Sequence, residues 1–239
     1  MMRGLLAAIA FLTRLPVPPR TWAGTSGPPV QLPWYPVVGL LIGAILSGLA
    51  WLLSREPPLL AAALLLLVWV GITGGLHLDG LADSTDAWVG GLGDRARTLD
   101  IMKDPRSGPM GVTAIGVVLL LKFAALAARP EPVAALWLAP LLGRGALTLA
   151  FMSTPYVRSG GMGSGLAGAP RGACLAVLLL TALLSLGFGF HGVRALVAAA
   201  ATFSFWRWSV MHRLGGMTGD TCGALTELVE MAVLVALVL

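Results

Sequence analysis

The sequence predicts an all-α, polytopic membrane bundle, and three observations carry that prediction. The chain is 57% apolar and only 11% charged over 239 residues, against about 25% charged in soluble domains. Its mean hydropathy is +0.86. Apolar runs near the roughly 20 residues that a spanning helix needs recur along its length.

The first segment, Met1–Leu15, has Arg3, a short apolar run from Gly4 to Leu12, and Arg14 to close it. It is too short to span and lacks a small-residue cleavage site, so it reads as an uncleaved interfacial or half-buried helix. Seven candidate spans follow: Pro36–Ser54, Pro57–Leu76, Pro109–Ala128, Pro132–Met152, Ala173–Phe190, Ala195–Val210 and Cys222–Leu239. Four begin at a proline, which suits a first helical turn. The sixth is short and the seventh carries acids, so the count lies between six and eight, with seven adopted here. No internal repeat or linker divides the chain, which reads as a single integral-membrane domain over 1–239.

Loop charges orient the bundle. With the N-terminus in the cytoplasm, eleven basic residues fall inside: Arg3, Arg14, Arg20, Arg95, Arg97, Lys103, Arg106, Arg158, Arg171, Arg207 and Arg213. Three fall outside, Arg55, Arg129 and Arg194. This bias follows the positive-inside rule and puts the aspartate window on the cytoplasmic side. The pI near 10 is not a nucleic-acid signal, because the basic residues are spread over loops without interleaved aromatics. Cys174 and Cys222 are too few for a disulfide framework or thiolate metal site. Gly39, Gly43 and Ser47 form a small-xxx-small ridge for close helix approach. Gly74–Gly75 and Gly90–Gly91 suggest hinges.

Six of the seven aspartates lie between Asp79 and Asp104. Asp79, Asp83 and Asp86, spaced by four and three, share one face of a helix. Their mutual repulsion calls for a counter-charge, and a hard divalent cation such as Mg²⁺ is the simplest. Asp100 and Asp104 repeat the i, i+4 spacing, and two such faces packed together can hold one or two Mg²⁺ against a pyrophosphate. Lys103 and Arg106 supply donors to the same phosphates. The plainer alternative is a solvated acidic loop with a helix-capping aspartate; apolar neighbours Leu78, Leu81 and Ala82 weigh against it. Asp94 sits in a turn-like Gly93-Asp94-Arg95 context and reads as structural. His77 reads either as a hydrogen-bonded interfacial histidine or as a ligand to substrate.

Ionisable residues inside spans are functional candidates. They are Lys122, Arg144, Glu227 and Glu230, with Asp220 just before the last span. Asp220, Glu227 and Glu230 lie on the cytoplasmic side and can converge with the aspartate window. The loop Pro155–Gly161, with Arg158, can cradle a phosphate.

These residues resemble the cobalamin-5′-phosphate synthases (adenosylcobinamide-GDP ribazoletransferases). The matching pieces are Phe11-Leu12-Thr13-Arg14-Leu15-Pro16, Pro36-Val37-Val38-Gly39, His77-Leu78-Asp79-Gly80-Leu81-Ala82-Asp83-Ser84-Thr85-Asp86 and Ile101-Met102-Lys103-Asp104 with Gly108 and Gly111. Pro155-Tyr156 with Arg158, and Thr218-Gly219-Asp220 with Gly223-Ala224 and Glu230, complete them. Ala87 stands where glycine is common in the family, Asp100 where glutamate is common, and Glu227 lies outside the pattern.

The resemblance implies an Mg²⁺-dependent transferase. α-Ribazole, or its 5′-phosphate, attacks adenosylcobinamide-GDP through a ribose hydroxyl; GMP leaves, and adenosylcobalamin or its 5′-phosphate forms. It assigns Asp79, Asp83, Asp86 and Asp104 to metal, with Asp220 and Glu230 either completing that site or orienting its ligands. Asp100, or a member of the same cluster such as Asp83 or Asp104, takes the proton. His77, Lys103, Arg106, Lys122, Arg144 and Arg158 are the candidates for substrate and phosphate. A homo-oligomer is compatible with all of this. The runner-up readings are another CDP-alcohol-type membrane phosphotransferase, an ion-coupled transporter, for which no inverted repeat is visible, and a non-catalytic scaffold.

Overall fold

The computed structural model describes residues 2–18, 30–128, 133–158, 160–161 and 163–239. Arg20, Arg129, Pro132 and Ser159 lie outside the described residues. Ten α-helices follow one another: α1 Met2–Leu12, α2 Tyr35–Leu52, α3 Pro58–Thr73, α4 Leu76–Gly90, α5 Arg95–Ile101, α6 Pro109–Ala127, α7 Val133–Ser153, α8 Arg171–Leu186, α9 Phe190–Leu214 and α10 Gly219–Val238. Among the described residues there is no strand, only a single bridge between Tyr156 and Met217.

Each of the seven apolar segments is a helix. Four of them (α2 with its leading turn, α6, α7 and α10) are individually long and apolar enough to cross a bilayer, and α3 with α4 makes a fifth only if the bent pair is one span. Helix α8 is apolar but has only 16 residues. Helix α9 runs to 25 residues, well past the expected Ala195–Val210. The chain is a multi-pass membrane protein.

The α3–α4 junction is where the path leaves the bundle axis. Gly74 and Gly75 have φ of +62° and +68°, a left-handed conformation that glycine adopts without penalty. Two such residues in succession turn the chain by 86°. Helix α4 therefore lies across the bundle end instead of continuing the span, and it packs on α10 and α6.

The polar connections gather at that end. Arg14 donates its backbone N–H to Ile72 O at 2.7 Å, which ties the N-terminal segment to the end of α3. Arg95 donates to Leu214 O at 2.8 Å, which ties α5 to the end of α9. The segments after α7 and α9 meet at the Tyr156–Met217 bridge.

Helices α2 and α7 pack most intimately. Pro140 lies inside α7 and cannot donate to Leu136 O, so that carbonyl is left open. Glycines of α2 fill the space: a Cβ on Gly43 would sit 2.8 Å from Leu136 O, and one on Gly39 2.4 Å from Pro140 O. The small-residue ridge thus seats on the proline turn. Gly39→Val forces the backbones apart and lowers stability by about 1–3 kcal/mol. Gly48→Val, at a position with no atom within 4 Å of the added Cβ, is near neutral. Unfolding in mixed micelles compares the two.

Candidate active site

The site is built on a helix crossing. A Cβ on Gly80 would lie 2.6 Å from Asp220 O, and one on Gly223 would lie 3.1 Å from His77 O. Two glycines therefore let the backbones of α4 and α10 touch. Asp79 and Asp83 stand one residue before and three after that contact, on either side of Asp220. A capping box holds the start of α10: Thr221 N–H donates to Thr218 Oγ1 at 3.2 Å, and Thr218 N–H to Thr221 Oγ1 at 2.8 Å. Across the gap, Arg158 Nη1 donates to Asp220 Oδ2 at 2.7 Å. Arg158 is aimed by its loop, where Val157 N–H donates to Met217 O at 2.9 Å and Met217 N–H to Pro155 O at 2.8 Å.

Asp83, Asp220, Arg158, Lys103, Asp104 and Gly161 line a cleft of about 370 Å³. Burial raises the Asp83 carboxyl, and the Asp79, Asp220 and Asp86 charges add to it, to about 6 against the opposing Arg158. Among the described residues, the Asp79 and Asp83 carboxylates have no hydrogen-bond or ion-pair partner. No three acidic, histidine or cysteine side chains among the described residues already form a metal-binding cluster. The donor chemistry still fits a hard cation: three carboxylates with one arginine between them, two of the three unpartnered, favour an ion that takes oxygen ligands.

Several expected site residues have other partners, although Asp104 stays on the cleft wall. Asp86 accepts from Gly108 N–H at 2.6 Å and from Gly111 N–H at 2.9 Å, so both oxygens cap the start of α6. A Cβ on either glycine would come within 2.5 Å of an Asp86 oxygen, which gives Gly108 and Gly111 their purpose. Asp100 and Asp104 do not form a second acidic helix face, because α5 ends at Ile101. Asp100 pairs with Lys103 at 3.1 Å in solvent, its side chain 75% exposed. Asp104 is gripped by Arg106 at 2.9 Å, which holds its carboxyl below the ordinary value. Arg106 stays at the exposed rim.

Lys122, Arg144 and Glu230 do not reach the cleft. Lys122 Nζ lies 2.5 Å from Glu227 and 2.6 Å from Glu230, and Arg144 pairs with Glu230, all buried between α6, α7 and α10. These side chains neutralise one another; Arg144 keeps Nε and Nη2 without a partner among the described residues, but neither Lys122 nor Arg144 lines the cleft. His77 is buried with Nδ1 unpartnered. Burial first, then the Arg144 and Lys122 charges, keep it neutral. Asp94 caps α5 through Arg97 N–H at 3.0 Å. Cys174 and Cys222 are free thiols.

A second cavity, about 80 Å³, opens beside the cleft and shares Gly219 and Asp220 with it. Phe11, Tyr35, Leu147 and Phe151 wall it, together with His77 and Asp79. Sequence reasoning missed Tyr35 and Phe151. An aromatic in an apolar helix carries no signal of its own, and only the packing of α1, α2, α7 and α10 shows that they share a cavity.

Residues 4–238 match the family model described as cobalamin-5-phosphate synthase. A protein of Stutzerimonas stutzeri named adenosylcobinamide-GDP ribazoletransferase is 53% identical over 241 residues, covering 100% of this chain and 98% of the relative. Namesakes from Pseudomonas paraeruginosa and Pseudomonas aeruginosa are each 52% identical, again over 100% of this chain and 98% of theirs. No solved structure matches.

The two neighbouring aspartates separate by stability. Asp86→Ala exposes the start of α6 and costs about 0.5–2 kcal/mol. Asp83→Asn does the reverse. Because the folded state raises the Asp83 pKa from 3.8 to about 6, ionisation opposes folding, and stability falls as pH rises between those two values. Asp83→Asn therefore raises the unfolding midpoint at pH 7.5 and loses that advantage as pH falls below 3.8, as thermal scans in detergent can show.

Proposed function

The chain belongs to the cobalamin-5-phosphate synthase family, and we propose that it joins adenosylcobinamide-GDP to α-ribazole or its 5′-phosphate at the α4–α10 crossing. The enzyme is a ribazoletransferase of cobalamin biosynthesis. A ribose hydroxyl oxygen bonds to the phosphorus next to the corrinoid. The bridging P–O bond breaks and GMP departs with its electron pair, while the hydroxyl proton passes to a carboxylate. The observation that carries this reading is the convergence of Asp79, Asp83 and Asp220 around Gly80, opposite Arg158.

Asp79 and Asp220, with Asp83, are the residues that would hold Mg²⁺; when bound, it neutralises the pyrophosphate oxygens and polarises phosphorus. Arg158 and Lys103 bind phosphate oxygens from the cleft wall. The glycines of the loop that follows Arg158 leave that wall open to the nucleotide. Asp83 takes the hydroxyl proton, since a base works best when its pKa lies near working pH, and Asp83 is the cleft carboxyl raised toward that range. Asp100 and Asp104, held by Lys103 and Arg106, play no part in the proton transfer. The site faces the cytoplasm of a prokaryotic cell across its inner membrane, a placement that the loop-charge bias supports.

Detergent-purified protein given adenosylcobinamide-GDP, α-ribazole 5′-phosphate and Mg²⁺ releases GMP only when acceptor is present, and EDTA stops it. Acceptor-independent GMP, or none from folded protein with lipid restored, rejects the reading. Asp83→Asn abolishes release while Asp100→Asn retains it within a few-fold. The base must be ionised, so kcat/KM falls as pH drops below about 6, tenfold per pH unit. Raising Mg²⁺ moves that limb to lower pH, because a cation beside the acids favours their charged form.

A further inference from the structure

We infer that the narrow cavity beside the acidic cleft is the seat of the acceptor's aromatic base, with the Tyr35 hydroxyl as its hydrogen-bond donor. This inference rests on the ribazole-transfer reading and assigns one half of its substrate to a place.

The two cavities differ in chemistry as the two substrates do. The cleft holds the arginine, the lysine and the acids, and suits a pyrophosphate. The cavity is walled by Phe11, Leu12, Tyr35, Leu147 and Phe151. Aromatic surface reaches it from two sides. Phe11 and Tyr35 stack with centroids 6.1 Å apart, and Phe151 stacks on Tyr156, also at 6.1 Å. Such walls favour a flat apolar ring.

Asp79 and Asp220 reach the cavity from the cleft side, and two buried polar atoms of its lining residues have no partner. Tyr35 is fully buried, and its hydroxyl donates to nothing among the described residues. His77 Nδ1 is also buried and unpartnered. A buried hydroxyl left without a partner is costly, so its retention points to a ligand that accepts from it. A benzimidazole-type nucleoside presents one free ring nitrogen, an acceptor, on an otherwise apolar bicyclic face. The phenol meets that nitrogen and the aromatic walls meet the ring.

Position agrees with chemistry. Gly219 and Asp220 belong to both cavities. A base inserted in the inner one leaves its ribose at Asp220, beside Asp79 and Asp83, where the hydroxyl must attack. At about 80 Å³ the cavity is smaller than the ~150 Å³ that takes one benzene ring, so it receives only the leading edge of the base, and the rest of the ring and its ribose lie on the side that joins the larger cleft at Gly219 and Asp220.

The test measures steady-state GMP release by Tyr35→Phe, which keeps the ring, and by Leu147→Trp, which fills the cavity. Free benzimidazole is the competing probe. Tyr35→Phe raises the KM for α-ribazole 5′-phosphate roughly three- to tenfold, the worth of one hydrogen bond, and leaves the adenosylcobinamide-GDP KM within twofold. Benzimidazole competes with the acceptor and not with the corrinoid, and Leu147→Trp abolishes that competition. Active wild-type enzyme whose acceptor KM ignores Tyr35→Phe, and on which benzimidazole does not compete with acceptor, overturns the subsite alone. Wild-type protein that releases no GMP overturns the transferase reading and the subsite with it. If Leu147→Trp fails to fold, Tyr35→Phe and the competition pattern decide.

Discussion

The backbone contact between α4 and α10 is the constraint on which the rest depends. It exists because Gly80 and Gly223 lack side chains where Asp220 O and His77 O approach. Any side chain at Gly80 would lift α4 from α10 and carry Asp79 and Asp83 away from Asp220. The 86° turn at Gly74 and Gly75 delivers α4 to that contact across the bundle end, and Asp86, bonded to Gly108 and Gly111 N–H, fastens the far half of α4 to α6. The acids are thus presented by a helix fixed at three points, so their mutual repulsion cannot relax by moving the backbone. It is expressed instead in the raised Asp83 carboxyl.

A second constraint lies deeper. Four charges in a bundle of apolar helices would be prohibitive singly, but Lys122, Arg144, Glu227 and Glu230 sum to zero and pair within the core. Lys122 also sits 5.0 Å from the Trp69 ring centroid. Removing one partner of a buried pair leaves an uncompensated charge, at about 3–5 kcal/mol. Pairing therefore sets the depth and rotation of α10 against α6 and α7. Because Asp220 and Glu230 are on the same helix, the buried network that fixes Glu230 also fixes how far Asp220 projects at the membrane face. Glu230 is thus tied to Lys122 and Arg144 and bears on the cleft through the helix it anchors.

The helices and their order were legible because a bilayer imposes a length and polarity that composition reveals directly. The glycines at 39, 43, 74 and 75 were legible for the same kind of reason: close approach and left-handed turns leave glycine as a trace. The i, i+4 logic held for Asp79 and Asp83 on α4. It failed for Asp86, whose helix-facing spacing looked the same while its carboxylate was taken by two backbone N–H groups from 22 and 25 residues away. It failed again for Asp104, because α5 ends at Ile101, before the residue that precedes Pro105, where a proline disfavours helical backbone and spacing alone does not register it. Intramembrane Lys122, Arg144 and Glu230 announced themselves as special, but sequence cannot tell a charge that meets a substrate from one that meets another charge. Tyr35 left no trace, since its significance is an absence of partners.

The same geometry explains why a membrane protein suits this transfer. One reactant is a charged nucleotide, and the other ends in a flat apolar ring; a site for both must place a polar surface against an apolar one. The end of a helical bundle supplies that junction. Helix α4, laid across the end, gives its acids to the water side. Residues of α1, α2, α7 and α10 wall an apolar slot. Asp220, the first acid of α10, is shared by both halves. Helix α10 thus carries the boundary between the two environments, and the slot and the cleft meet at its first turn.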